Sequence, residues 1–187
     1  MHRSDVTGRV LVLCGPPGSG KGVISKRAVA RGMVVLSLGD VVRSEVAARG
    51  LEESPENVGK TALSMREKQG EDIVVVRLLD TIEEALEEAD VLIDGMRQPE
   101  EMESLKQHIP NVTVLAVSAS EDSRSGWLSS RGRGEDGDIG DFSDRERREW
   151  AWGLDVLMAQ ADAVIVNDGS LEQLSARSDE VLESLGF

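Results

Sequence analysis

Val10-Leu11-Val12-Leu13-Cys14 runs directly into Gly15-Pro16-Pro17-Gly18-Ser19-Gly20-Lys21, and the rest of the chain is organised around this stretch. Five consecutive apolar residues stopping at a glycine form the pattern of a strand buried on both faces of a parallel sheet. The segment that follows fits G-x-x-x-x-G-K and leads into a helical pattern over residues 20–31. Glycines there let successive backbone N–H groups turn toward one centre, the helix N-terminus adds partial positive charge, and the lysine reaches terminal phosphates. Gly15, Pro16, Pro17, Gly18, Ser19, Gly20, Lys21, Gly22 and Val23 are therefore the expected phosphate-binding residues. Lys21 is followed by Gly22 and Val23, where many such loops place a hydroxyl for Mg²⁺, so the metal must find other ligands. Cys14, at the end of the buried strand, reads as a small core residue.

Four more short β-branched runs lie downstream: Val34-Val35-Leu36, Val91-Leu92-Ile93, Val112 to Val117 and Ala163 to Val166. Between and after them, residues 41–49, 55–69, 71–88, 98–107, 121–130, 144–160 and 171–185 follow helical patterns. Ser54-Pro55 reads as an N-cap with proline at the first helical position. Ser143 with Glu146, and Ser170 with Gln173, have capping-box spacing. Gly50 and Gly70 suit the corresponding stops. Alternating strands and helices predict an α/β fold, a doubly wound five-stranded parallel sheet with helices on both faces. No linker or repeat divides the chain, so residues 1–187 are expected to form a single domain.

The chain has 187 residues and a mass of 20.2 kDa, with 40% hydrophobic and 30% charged residues, enough for a sizeable core and too apolar for a disordered class. It contains no apolar run of membrane length and starts with MHRSDVTGR, so a cytoplasmic protein without a membrane partner is expected. One cysteine and two histidines leave no zinc-ligand cluster. The net charge of −14 disfavours nucleic acid as a partner. Its 16 arginines against 5 lysines, with acids spread along the chain, suit either an ordinary acidic surface or a salt-rich cytosol.

The chemistry-bearing residues fall after successive strands, which share one edge in a parallel sheet. Arg43 lies in the first turn of a helix with Asp40 as its expected cap, so side chain and helix N-terminus both face an anion. Asp94 ends a buried strand, where a carboxylate meets a cation through water or caps the next turn. Six arginines and no lysine occupy residues 124–148. Of these Arg131, Arg133, Arg145 and Arg148 flank the glycine-rich segment Arg131 to Phe142, a candidate lid of about residues 131–142 or else a hairpin paired with its own acids. Asn167 and Gly169 line the edge after the fifth strand, or form a plain strand-to-helix turn with Asp168 and Ser170. Trp127, Trp150 and Trp152 read as packing residues, and Arg66 and Arg77 as acceptor-side or surface arginines.

These motifs resemble the nucleoside monophosphate kinases of the adenylate kinase type. GPPGSGKG is similar to their phosphate loop, Leu38-Gly39-Asp40-Val41-Val42-Arg43 to the segment whose arginine holds the acceptor, and Asp94-Gly95-Met96-Arg97 to the D-G-F-P-R segment. The chain from about Arg9 to Leu185 is most similar to an uncharacterised archaeal adenylate-kinase-like family, and Ala161 to Leu171 resembles the end of dephospho-coenzyme A kinases. The resemblance implies ATP and Mg²⁺ as cofactors, small-molecule nucleotides as partners, and a kinase activity. It implies Lys21, Asp94, Arg97, Arg131 and Arg133 as catalytic residues, and Asp40, Arg43, Gly95 and Arg97 as acceptor-binding residues from a helical region of about 40–88. Asn167 and Gly169 would contact adenine, and Asp94 would hold the metal through water. The chain departs from the pattern at Val23, in the missing proline before Arg97, and in a short lid.

Overall fold

The continuous apolar run at residues 10–14 is the central strand. In the computed structural model, which describes residues 8–124 and 139–187 (side chains of 139–142 excepted), β1 (Val10–Cys14) pairs with β3 (Val91–Asp94) on one side and β4 (Val112–Ser118) on the other. β2 (Val34–Ser37) and β5 (Ala163–Val166) close the edges, giving five parallel strands in the order β2-β3-β1-β4-β5. The chain leaves β1 in one direction toward β2 and reaches β4 and β5 in the other. Loops at the carboxyl ends of the strands diverge there and leave a crevice.

Alternation along the strands divides the interior into two layers. Val10, Val12, Val91, Ile93, Val114 and Ala116 face a layer formed by α2 (Leu38–Ala48), α3 (Pro55–Gln69), α4 (Ile73–Val76), α5 (Leu79–Leu86), α6 (Pro99–His108) and α8 (Leu154–Ala159). Leu11, Leu13, Leu92, Leu115, Val117 and Ile165 face α1 (Lys21–Ala30) and α9 (Leu171–Ser184). Cys14 belongs to the first layer; burial pushes its thiol up to about 11, so it is a core residue and not a nucleophile. No helix among the described residues is long and apolar enough to cross a membrane.

The sequence pattern and the structure part company at helix ends. α2 starts at Leu38, directly after β2, so its cap position is Ser37. Asp40 lies inside the first turn, exposed and paired with Arg43, rather than capping the helix. The pattern over 71–88 is two short helices, α4 and α5. The pattern over 144–160 is α7 (Ile139–Ala151) and α8, broken at Gly153, whose φ is 99°. Because α7 begins at Ile139, Ser143 is an interior helical residue and its capping box does not form. Ser54 accepts from Asn57 N–H, and Ser170 with Gln173 forms the expected box. Residues 121–124 are helical; Trp127, Arg131, Arg133 and most of the 131–142 segment lie outside the described residues.

Arg66 departs most from a surface reading. It is 3% exposed on α3 and pairs at 2.6 Å with Glu101 of α6, which is 0% exposed. The other Glu101 oxygen accepts the backbone N–H groups of Arg97 (2.9 Å) and Gln98 (3.2 Å), and the Arg66 guanidinium stacks 4.5 Å from the Trp152 ring. One carboxylate thus fixes the turn between β3 and α6 and neutralises a buried cation. Removing one partner of such a pair costs about 3–5 kcal/mol. Glu101→Ala is expected to lower unfolding stability by about that amount, measured by urea denaturation.

Candidate functional site

The loop after β1 is shaped by two close approaches. A Cβ on Gly15, φ 154°, would lie 2.3 Å from the Val117 carbonyl oxygen on β4. One on Gly20, φ 104°, would lie 2.7 Å from Asn167 Nδ2. Only glycine lets the loop sit this low between β4 and the end of β5. Asn167 is buried, and its amide donates to the Ser19 carbonyl at 3.0 Å, so its side chain serves as a strut under the loop. Arg124 is a second strut, donating to the Pro17 carbonyl at 3.2 Å and pairing with Glu146 of α7 at 2.5 Å.

Lys21 opens α1 and folds back across the loop, its Nζ donating to the carbonyls of Gly15 (2.8 Å) and Pro16 (3.0 Å). Burial pushes its amine down to about 8, against the opposing pull of Asp94 and Glu149, while Arg145 and Arg97 reinforce the drop. A cleft of about 580 Å³ opens over the loop and brings together Pro17 to Val23, Arg43, Asp94, Gly95, Arg97, Arg145, Asn167 and Gly169. It therefore unites expected residues from after β1, β2, β3 and β5 with one from α7. Arg148, also on α7, lines instead a narrower chamber of about 40 Å³ beside it, with Arg66, Arg97, Arg145, Glu149 and Trp152. Asp40 is absent from both linings and holds Arg43 from the solvent side.

Asp94 is paired in register with Ser37 of β2 and Leu13 of β1, which sets its carboxylate at the floor of the cleft. Its Oδ1 is buried and without a hydrogen-bond partner. Such an oxygen fits a cation held through water. No group of three or more metal-ligating side chains occurs among the described residues, so Asp94 fits an ion that keeps most of its water and takes its other ligands from a bound anion. Val23 lines the cleft without offering a hydroxyl.

Glu149 is a site residue that the sequence pattern does not single out. On α7 and 3% exposed, it accepts through one oxygen, Oε1, from Arg97 Nε at 2.7 Å and Arg145 Nε at 3.1 Å. Burial alone would raise its carboxyl, but Arg97, Arg145 and Lys21 together hold it down at about 2. For Arg97, burial acts downward, but Glu149, Glu101 and Asp94 outweigh it and hold the guanidinium above its ordinary value. The i, i+4 spacing of Arg145 and Glu149 was a visible signal, though in a chain this rich in both signs it marks surface pairs equally well. Leu171, 70% exposed, and Leu174 add an apolar wall beside Gly169. Arg77 is a surface residue tied to Glu45 and Gln69, and Trp150 is partly exposed with its indole on Glu146.

Residues 14–140 match the family described as an AAA domain. A UPF0200 protein of Methanoregula boonei is 35% identical over 177 residues, covering 94% of this chain and 97% of the relative. The UPF0200 protein of Thermococcus onnurineus is 34% identical over 180 residues, with coverage of 94% and 97%. This chain belongs to the UPF0200 family and to the AAA domain family. The fold of this UPF0200 protein is also similar to TT1252 from Thermus thermophilus, with a TM-score of 0.63 at 22% identity over 96% of this chain and 99% of that one. An unliganded sugar kinase from Janibacter sp. HTCC2649 gives 0.59 at 18% identity over 94% and 95%. The UPF0200 chain is accordingly a P-loop α/β domain that shares its fold with these two structures.

The low-lying Lys21 value has a direct consequence for anion binding. The amine is a cation below about pH 8 and loses its proton above it, so affinity should fall as pH rises. Sulfate, whose charge is constant over this range, is expected to bind about tenfold more weakly at pH 9 than at pH 7, and Lys21→Met should flatten the profile, as titration calorimetry would record.

Proposed function

We propose that this protein is an ATP- and Mg²⁺-dependent phosphotransferase that moves the γ-phosphoryl group of ATP to a nucleoside monophosphate such as AMP. The observation that carries this reading is the single cleft shared by the phosphate loop with Lys21, the orphaned carboxylate oxygen of Asp94, and the guanidinium groups of Arg43, Arg97 and Arg145. A phosphate loop alone fits any nucleoside triphosphatase. Arginines on the far side of the same cleft supply what a second phosphorylated substrate needs.

In this reading the loop amides and Lys21 hold the β- and γ-phosphates, and Leu171, Leu174 and Gly169 border the adenine. Arg43 and Arg97 hold the acceptor phosphate. An oxygen of that phosphate attacks the γ-phosphorus while the bond to the β–γ bridging oxygen breaks, ADP leaves, and the acceptor becomes a diphosphate. Asp94 would hold Mg²⁺ through water, and the ion would neutralise charge on the phosphates. The protein's part is alignment, exclusion of water, and guanidinium charge spread over the moving group. Arg145, like Arg131 and Arg133 in the glycine-rich segment, belongs to the group that would supply this charge from the lid side. Arg148 stands one chamber away, against Trp152.

One observation favours a second reading. The chamber between α2, α3 and α7 measures about 40 Å³, and a single water takes about 10–15 Å³ by this measure. That room, enough for about three or four waters, suits a small hydroxyl group better than a purine base, while dephospho-coenzyme A stands as an acceptor on the resemblance of Ala161 to Leu171 alone.

Incubation with Mg·ATP and AMP, CMP, UMP, GMP or dephospho-coenzyme A, with products resolved by chromatography, separates these readings. ADP together with a nucleoside diphosphate is the expected outcome, and Lys21→Ala is expected to reduce turnover by about 100-fold or more while leaving the unfolding midpoint within the range of a surface substitution. ATP binding with no product from any acceptor would overturn phosphotransfer and leave a nucleotide-binding module.

A further inference from the structure

Glu149 has a property that a stabilising ion pair does not require. A single oxygen, Oε1, receives the Nε–H groups of two guanidiniums carried by different parts of the chain, Arg97 in the turn after β3 and Arg145 on α7. Both arginines line the cleft over the phosphate loop. A guanidinium is a rigid planar fork, so fixing its Nε edge fixes the directions of its terminal nitrogens. Arg97 uses one of these on the Gly95 carbonyl at 2.8 Å, which pins the fork at a second point. The carboxylate is thus the common anchor of two of the three arginines that line the cleft, Arg97 and Arg145.

Charge gives the same arrangement a second reason. Lys21, Arg97, Arg145 and Arg148 crowd one end of the sheet. Within this group Glu149 draws its charge interactions from Lys21, Arg97 and Arg145. Without it two buried guanidiniums would repel each other and turn toward separate partners. A pair kept for stability alone is readily replaced by apolar packing, and here such packing would leave the arginines of the cleft unaimed.

We infer that Glu149 is a positioning residue for phosphoryl transfer, holding Arg97 and Arg145 in one orientation so that their terminal nitrogens meet the transferring and acceptor phosphates together. The inference rests on the phosphotransfer reading and extends it to a residue that touches no substrate. It acts through the arginines, so its effect falls on the transition state more than on ground-state ATP binding, which the loop and Lys21 supply.

The test uses the full chain as Glu149→Gln, Arg145→Lys and the double variant, with turnover measured on the acceptor the wild type accepts and ATP affinity measured by calorimetry. Glu149→Gln keeps the shape and removes the charge. It is expected to lower kcat by about tenfold or more, since a small misplacement can cost about 100-fold, with the dissociation constant for ATP within about threefold of wild type. The double variant should be no slower than the slower single variant, because both substitutions release the same contact. A Glu149→Gln enzyme with kcat within twofold of wild type would overturn the inference, as would additive losses in the double variant. A parallel loss of ATP affinity and thermal midpoint would assign Glu149 a purely structural role. If the wild type itself turns over no acceptor, the phosphotransfer reading fails separately. The inference rests on that reading and falls with it, whereas a wild type that turns over beside a Glu149→Gln variant of equal kcat overturns the inference alone.

Discussion

The constraint on which this molecule depends is the balance of charge at the carboxyl edge of its sheet. Lys21, Arg97 and Arg145 converge there with their side chains largely withdrawn from solvent, and each cation alone would be disfavoured. Three carboxylates make the arrangement possible. Glu149 binds Arg97 and Arg145, Asp94 faces Lys21, and Glu101 neutralises Arg66 while gripping the backbone of Arg97. Each comes from a different element: α7, β3 and α6. The cationic site is therefore a product of the whole fold, since the packing of α3 and α6 over the sheet and of α7 on α3 brings these acids to it.

The same balance explains how a cleft lined by cations survives in a protein with a net charge of −14. Most of the acids among the described residues are exposed, where salt screens them over about 8–10 Å. The arginines of the cleft interact at contact distance with buried partners and are screened much less. An approaching anion meets a local cation cluster within an acidic surface.

Much of the scaffold was legible in the sequence, and the reasons are physical. Strands buried on both faces leave uninterrupted β-branched runs, so all five were visible, and a phosphate loop has few ways to be built, so Gly15 to Lys21 could be read directly. Helix starts were less legible. Asp40 and Ser143 have the right chemistry for caps, but α2 follows β2 without a loop and α7 begins four residues before Ser143. Packing decides these boundaries, and capping propensity is weaker than packing. Two of the three carboxylates, unlike Asp94, were not singled out by the sequence. Glu101 and Glu149 belong to 35 acidic residues whose usual place is the surface, and only tertiary structure separates a buried counter-ion from a solvated one. Arg66 stayed open between an acceptor-side and a surface reading for the same reason, because its partner stands 35 positions away in sequence.

The buried acids also establish a mechanical link. Arg97 is held at its backbone by Glu101 of α6 and at its guanidinium by Glu149 of α7, while Arg124 ties the phosphate loop at Pro17 to Glu146, one turn earlier on α7. α7 thus grips both sides of the cleft: the loop that would hold the donor and the arginine that would hold the acceptor. Any displacement of α7 must break two ion pairs or carry both halves of the site with it. Packed interiors resist gradual deformation and favour discrete arrangements. In the proposed phosphotransfer, a helix in this position would make donor and acceptor geometry interdependent, as an in-line displacement between two bound phosphates requires.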